Sequence, residues 1–451
     1  MPLSSTSKHQ EWISGWGQTH PVHATIITPK SNDEIQALAP TLQQWIPRGM
    51  GKSYGDASVG HAVIDSHYLN QVINFNQVNG IITCNAGISL EDIHKISIPS
   101  GWFLPVVPGT QLISIGGAIA ADIHGKNHHQ SGSFSDHIHS LTMMTGEGEI
   151  ITCSTEKDSD IFYATCGGMG LTGIILSATI QLLAIETSWI TQSVTQTKNL
   201  EETLTYFDEN SNVPYSVAWL DSLADQASLG RGIIFAGDHS KKSELAAGTP
   251  SLILDTPAPI TVPCHAPNGL INPITMSIFN TFYYHQFSFK PAHGIVSYRP
   301  FFFPLDSVGH WNRLYGHRGF LQYQCVVPLP SGHDSIKEIL EAILKAKTGS
   351  FLAVLKRLGA GNPLKPLSFP MEGYTLALDF CHTPKVLALL THLDEIVERK
   401  GGRIYLAKDA RMSTSTLKSG YPDLDKLITI KRRLDPHNKI QSQLSKRLNI
   451  T

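Results

Sequence analysis

The chain has 451 residues, 41% of them hydrophobic and 16% charged, with a formal net charge of −2 when its 21 histidines are counted as neutral. That length exceeds one ordinary core and predicts two domains. The near-zero charge excludes a general nucleic-acid binder. No apolar run approaches the roughly 18 residues of a spanning helix.

The first residues, Met1-Pro2-Leu3-Ser4-Ser5-Thr6-Ser7-Lys8, lack the apolar stretch of a signal peptide. The first strong signal is Pro47-Arg48-Gly49-Met50-Gly51-Lys52-Ser53-Tyr54-Gly55-Asp56. Glycines admit close approach of a ligand to the main chain, and successive backbone N–H groups make an anion cradle. This reads as a pyrophosphate loop. Gly51-Lys52-Ser53 ends like a P-loop, but Ile46 stands where that motif needs glycine.

Asn79-Gly80 marks a turn between strands at Val72-Ile73-Asn74-Phe75 and Ile81-Ile82-Thr83-Cys84. Ser89 caps a helix with apolar positions at Leu90, Ile93 and Ile96. Gly116-Gly117-Ala118 offers backbone against which a planar ring can lie. His124, His128, His129, His137 and His139 crowd one region without any recognised zinc spacing, so no metal is expected. Gly146-Glu147-Gly148 predicts a hairpin between Leu141–Met144 and Glu149–Thr152. Gly168-Met169-Gly170-Leu171-Thr172-Gly173 spells the dinucleotide fingerprint, but a helix at Asp158–Thr165 precedes it and a strand at Ile174–Leu182 follows. A Rossmann site needs the reverse order.

From about Glu186 to Gly401 the pattern changes to strands and helices with longer links. Between Lys241 and Pro273 lie five prolines, and the stretch reads as an irregular, apolar lid. Helices are predicted over Ser335–Ala346 and Pro384–Lys400, and strands at Phe351–Leu355 and Thr375–Asp379. A polar helix, Leu424–Leu434, follows. The six cysteines, Cys84, Cys153, Cys166, Cys264, Cys325 and Cys381, are widely spaced and read as buried thiols of a reducing compartment.

The ordered set Arg48–Asp56, Pro108-Gly109-Thr110, Gly116–Lys126, Gly167–Gly173 and Tyr405-Leu406-Ala407-Lys408-Asp409 resembles FAD-linked oxidoreductases of the vanillyl-alcohol-oxidase type. The likeness is strongest to the decaprenylphosphoryl-ribose 2-oxidase family. His124–His129, Trp311-Asn312-Arg313, Gly319–Gln324 and Pro366–Pro370 extend it through the middle of the chain.

The resemblance implies an α+β flavoprotein of two domains. Residues 1–188 and 403–451 would bind FAD, and 189–402 would form a substrate domain with an antiparallel sheet. Carried over by position, Arg48, Gly49, Met50, Gly51, Lys52, Ser53, Tyr54, Gly55 and Asp56 wrap the cofactor. Gly109, Ser114, Ile115, Gly116, Gly117, Ala121, His124, Ile175, Tyr405 and Lys408 line the rest. Lys408, His124 and Tyr54 are the catalytic candidates. Lys126, Trp219, Gln324 and Lys356 are the substrate-binding ones.

The implied reaction is FAD-dependent oxidation of a secondary sugar hydroxyl, at the 2-position of a polyprenylphosphoryl pentose. It belongs to an epimerisation that makes arabinose for the cell wall. An NAD-dependent reductase is the partner such an epimerisation would require, and the enzyme would be cytoplasmic, in peripheral contact with a membrane. The alternative substrate is a soluble sugar, polyol or aldonolactone. Lys52 stands where many relatives carry the histidine that bonds FAD, so non-covalent FAD is expected. Ala377 replaces the cysteine of the mycobacterial enzymes, and Thr375 and Phe302 replace more polar residues.

Overall fold

β-Branched runs make the strands, and glycine or asparagine makes the turns between them. The computed structural model describes residues 7–255 and 260–451. Met1 to Thr6, and Thr256 to Pro259 of the proline-rich stretch, lie outside the described residues.

Ser7–Ile13 pairs antiparallel with Val22–Thr28, which pairs parallel with Ala62–Asp65. Ile46–Arg48 completes this four-stranded sheet on the other side of Ala62–Asp65. Its carboxyl end delivers the glycine loop. A five-stranded antiparallel sheet follows, in the order Val72–Asn76, Ile81–Asn85, Ile174–Gln181, Ile138–Met144, Ile150–Ser154. Both predicted hairpins are present in it. The helix Ser159–Thr165 precedes the Gly168–Gly173 loop and the strand Ile174–Gln181 follows it, so that loop has the order read from the sequence.

The helix Leu90–Ser97 begins at Ser89, whose Oγ accepts the Asp92 N–H at 3.0 Å. Ile96 is exposed, against expectation, and His94 is buried. The stripe Leu90, Ile93, His94, Ser97 follows the i, i+3, i+4, i+7 spacing, and Ile96 falls off it.

An eight-stranded sheet holds the middle of the chain. Its order is His293–Ser297, Trp189–Thr197, Gly232–His239, Tyr215–Leu220, Ala353–Leu358, Gly373–Cys381, Phe320–Pro328, Arg403–Ile404. The strand expected at Phe351 starts two residues later, at Ala353. Side chains alternate faces along each strand. Tyr323, Cys325, Leu355, Leu376 and Leu378 join the core beneath the helices Gly332–Ala346 and Pro384–Arg399. Gln322, Gln324, Val354, Lys356 and Ala377 face the opposite way, into a cavity.

The proline-rich stretch is irregular but anchored. Ser188 Oγ donates to Ile253 O and accepts from Ile253 N–H, and Val262 N–H donates to Gly309 O at 2.9 Å. Exposed apolar side chains stand in this stretch at Leu254, Ile260 and Leu270 and continue on the next helix, Pro273–Gln286. Cys264 lies in this stretch and is exposed, contrary to the sequence reading, because no sheet or helix among the described residues covers it. Cys84, Cys153, Cys166 and Cys325 are buried, Cys381 is half-buried, and all are free thiols.

The chain then returns to its beginning. Leu424–Leu434 packs on Ser159–Thr165. Trp45 N–H donates to Lys439 O at 2.8 Å, and Trp45 O accepts from Gln441 N–H at 2.9 Å. The Trp45 side chain is fully buried, a burial that stabilises by roughly 2–3 kcal/mol.

Three buried histidines predict acid sensitivity. Burial pushes His94 down to about 3, with the Gln111 hydrogen bond opposing it, and holds His128 and His239 at about 4. The unfolded chain then binds protons that the folded one refuses. The stability these rings supply is complete above about pH 6.5 and is lost as pH falls towards 4, at about 1.4 kcal/mol per pH unit for each ring. His94 stacks on Phe103 at 4.3 Å. His94→Phe should therefore flatten the fall of Tm between pH 6.5 and 4. An unchanged slope in pH-dependent thermal melts would contradict this.

Candidate active site

The site is a cavity of about 750 Å³ between the four- and five-stranded sheets on one side and the eight-stranded sheet on the other. One wall is Arg48 to Tyr54. Gly49 has no room for a side chain, because a Cβ there would meet Ser114 Oγ at 2.0 Å. Gly51 has φ +62 and lies against the Arg48 guanidinium. Arg48 itself donates to Ser14 O at 2.9 Å and Ser58 O at 3.1 Å, so it braces the loop. The Lys52 ammonium sits 3.5 Å over the Trp16 ring, and burial lowers its pKa to about 8 against the pull of Asp306.

The second wall runs through Gly109, Ser114, Gly116, Gly117, Ala121 and His124, with Ile175 behind. Ser114 caps the short helix Ile115–Ala120 by accepting the Gly117 N–H at 3.2 Å. Asp122 has φ +40 and is buried, a strained backbone held by its partners. It accepts from Ser135 N–H, Ser135 Oγ, Ser368 Oγ and Lys365 Nζ. That anchoring sets where His124 stands two residues later.

The turn Tyr405 to Asp409 closes the cavity. Tyr405 N–H donates to Gln324 O at 2.9 Å, Tyr405 OH to Ala121 O at 2.8 Å, and Tyr54 N–H to Ala407 O at 3.0 Å. Lys408 Nζ lies 3.7 Å over the Tyr54 ring. Burial drives the Lys408 ammonium down and the Asp379 carboxyl up, while their mutual attraction opposes both shifts. Gln322 Nε2 donates to Asp379 Oδ1 at 2.5 Å. Lys356 lies on the same wall, lowered to about 8 by burial, with no salt bridge among the described residues. His124 is held well below its ordinary value by burial, then by Lys356 and His128.

The structure therefore brings together Arg48 to Tyr54, Gly109, Ser114, Gly116, Gly117, Ala121, His124, Ile175, Gln324, Lys356, Tyr405 and Lys408. It does not bring Gly55, Asp56, Ile115, Lys126 or Trp219 to the cavity wall. Gly55 sits behind the loop, where a Cβ would meet Asp409 O at 1.6 Å. Asp56 pairs with Arg447 at 2.8 Å, and Ile115 is core. Lys126 donates to Phe301 O and lies 4.3 Å over the Phe301 ring. Trp219 packs on Tyr283 with ring centroids 4.8 Å apart.

The crowded histidines hold loops. His129 meets Val213 O at 2.9 Å and His137 meets Ser131 O at 2.8 Å. Sequence reading missed Gln322, Asp379, Asp306 and Arg299. Gln322 and Asp379 each stand two residues from an identified position, Gln324 and Ala377, and the two-residue period of a strand was the available signal. Asp306 and Arg299 carried none. Asp306 Oδ2 accepts Gln111 N–H at 2.9 Å and Arg299 lies 3.6 Å from Glu91, which seats the segment over the cavity mouth.

A side-chain-free cradle joined to a deep wall of polar groups fits a dinucleotide with a flat ring. His124 Nδ1 is buried without a protein partner, which leaves a polar atom for such a ligand. Lys408, Tyr54, Lys356 and His124 line the same cavity.

Comparison with known proteins agrees. Residues 23–154 match the FAD binding domain family. Decaprenylphosphoryl-beta-D-ribose oxidase of Mycolicibacterium smegmatis is 37% identical over 450 residues, covering 97% of each chain. An uncharacterized protein of Streptomyces coelicolor is 30% identical over 374 residues, covering 80% of this chain and all of that one. D-arabinono-1,4-lactone oxidase of Eremothecium gossypii is 25% identical over 180 residues, 37% of this chain and 33% of its own. The α+β architecture, the cradle and a relationship that runs the length of the chain place this protein among the FAD-dependent oxidoreductases, in the family of decaprenylphosphoryl-ribose oxidase.

Proposed function

We propose that the protein oxidises the 2-hydroxyl of a polyprenylphosphoryl pentose, with FAD held non-covalently between residues 1–188 and 403–451 and the substrate taken under 189–402. The observation that carries this reading is the Lys408–Tyr54 pair, half-buried in the cavity wall with Lys356 and the buried His124. The whole-chain relationship supports the sugar substrate, whereas the lactone oxidase similarity covers 37% of this chain.

FAD, when bound, supplies a hydride acceptor for the carbinol carbon. Lys408 takes the proton of the substrate hydroxyl at Nζ. Its burial favours the neutral amine that this requires. Tyr54 holds the amine in place through its ring. Burial keeps the Tyr54 hydroxyl protonated, so it acts as a hydrogen-bonding group. Lys356, as an ammonium, pairs with the sugar phosphate. Gln322 and Asp379 brace this wall.

Lys408→Met should lower turnover about 100-fold or more while flavin content and melting temperature stay near wild type. In the wild type, kcat should rise with pH through the neutral range, because Lys408 must lose its proton before it can accept one. KM for a phosphate-linked sugar should rise above about pH 8, where Lys356 deprotonates, and Lys356→Met should remove that rise. Steady-state kinetics across pH checks each sign, and near-normal turnover by Lys408→Met defeats the assignment. Acid precipitation should release the yellow chromophore into the supernatant. Flavin retained in the pellet would mean a covalent bond.

A lipid substrate requires a soluble chain to meet a bilayer. Among the described residues no helix is long and apolar enough to cross a membrane. The helix Pro273–Gln286 presents Ile274, Ile278 and Phe282 four residues apart on one exposed face, at 74%, 66% and 70% exposure. Between Asp255 and Lys290 the sequence holds no Asp, Glu, Lys or Arg. Phe279 and Tyr283 of the helix pack on Phe351 and Trp219, and Trp219 pairs with Val354, on the face of the sheet that carries Val354 and Lys356. An apolar tail leaving the cavity would meet this helix.

Binding to vesicles that carry polyprenyl phosphate should be weak and nearly independent of salt. Replacing Ile274, Ile278 and Phe282 together by Ser should reduce both vesicle binding and oxidation of the lipid-linked sugar. Equal oxidation by that variant removes the membrane contact. Faster turnover of a water-soluble polyol or lactone replaces the substrate itself.

A further inference from the structure

We propose that Thr375 is a positioning residue that locks His124, through Gln324, as the tautomer with its proton on Nδ1, so that His124 serves the site as a fixed hydrogen-bond donor and not as a proton carrier.

The inference runs along a chain of hydrogen bonds with one polarity. Thr375 Oγ1 lies 2.9 Å from Cys325 O. A carbonyl can only accept, so the single hydroxyl proton of Thr375 is committed there. Thr375 Oγ1 therefore offers only lone pairs to Gln324, 3.1 Å away. The group facing it must be the amide nitrogen. Turning the amide over would set carbonyl oxygen against an acceptor.

The same Gln324 Nε2 lies 2.8 Å from His124 Nε2 and donates its second hydrogen to it. His124 Nε2 then carries no proton. A neutral ring places its proton on Nδ1. Burial and the neighbouring Lys356, His128 and Lys408 keep the ring neutral.

His128 does not relay a proton to it. Gly359 N–H donates to His128 Nδ1 at 3.1 Å, which leaves His128 Nε2–H to donate to Ser133 Oγ at 3.3 Å. The His124 ring lies beside Phe369 and Tyr405, each with centroids 5.3 Å away. Its Nδ1 is buried, has no protein partner, and belongs to a side chain that lines the cavity. The acceptor belongs to whatever the cavity holds. Only the identity of that acceptor rests on the flavin reading. The tautomer is a property of the protein alone.

Histidine-selective ¹⁵N spectra of the purified protein test this, with the His124 signals assigned by their loss in His124→Gln. Expected between pH 6 and 8 are a protonated Nδ1 and a bare Nε2. Thr375→Ser should keep that pattern. Thr375→Val should release the amide and mix the tautomers, and Gln324→Glu should move the proton to Nε2. With the leading substrate, Thr375→Val should lose roughly tenfold in kcat/KM, the scale of one weakened hydrogen bond, and Thr375→Ser should restore it. A wild-type ring protonated at Nε2, or at both nitrogens, overturns the proposal. So does a Thr375→Val protein that melts as the wild type does and keeps the wild-type pattern. If the spectra follow expectation and no flavin or sugar binds, the tautomer lock stands and the flavin reading falls.

Discussion

The cavity exists because one short turn, Tyr405 to Asp409, is bonded to three separate parts of the chain at once. Its backbone and hydroxyl reach Gln324 in the large sheet, Ala121 in the second wall and Tyr54 in the glycine loop. Arg447 adds a charged clasp, with Nη2 at 2.8 Å from both Asp56 and Asp409. Two carboxylates against one buried guanidinium raise its pKa above the ordinary value and bind the last helix to the first loop. Glycine is required at position 55 because this turn passes so close that no Cβ fits. Without the turn, Lys408 would have no fixed relation to Tyr54.

The price of the site is buried positive charge. Lys356 is lowered by burial from 10.5 to about 8, a differential solvation cost on the order of 3 kcal/mol. Lys408 carries a similar burden, eased by Asp379. The same field presses His124 towards neutrality, so one arrangement makes a ready amine and an uncharged imidazole side by side. In the proposed oxidation, which sheds a proton and a hydride from adjacent atoms, the proton acceptor would be the Lys408 amine, which burial favours in its neutral form. The apolar core under the helices Gly332–Ala346 and Pro384–Arg399 offsets the cost through the apolar surface it buries.

Local features were legible from the chain alone. The glycine loop, the hairpins at Asn79-Gly80 and Gly146-Glu147-Gly148, the Ser89 cap and the helix-before-strand order around Gly168 depend on neighbours within a few residues. So did the exclusion of a Rossmann or P-loop nucleotide, since both rival motifs fail on local order, whereas FAD came from the resemblance of the ordered motif set. The family resemblance, carried over by position, also pointed to most of the cavity wall, including Lys408, which lies far along the chain from Tyr54.

Other features were decided only when distant strands paired. Whether Gln322, Thr375 and Asp379 face the cavity depends on the register of Phe320–Pro328 against Gly373–Cys381, and on which face the two helices cover. Lys126 and Trp219 read like their neighbours in sequence, yet they meet Phe301 and Tyr283, residues brought in from other elements. The apolar face of Pro273–Gln286 was not read from the sequence, and it is exposed because no element among the described residues covers it. Sequence by itself determined the cofactor loop and the elements, because backbone preference and turn chemistry act over a few residues. Tertiary pairing decided which side chains meet, because a strand shows one face to solvent or ligand only after the other has been buried.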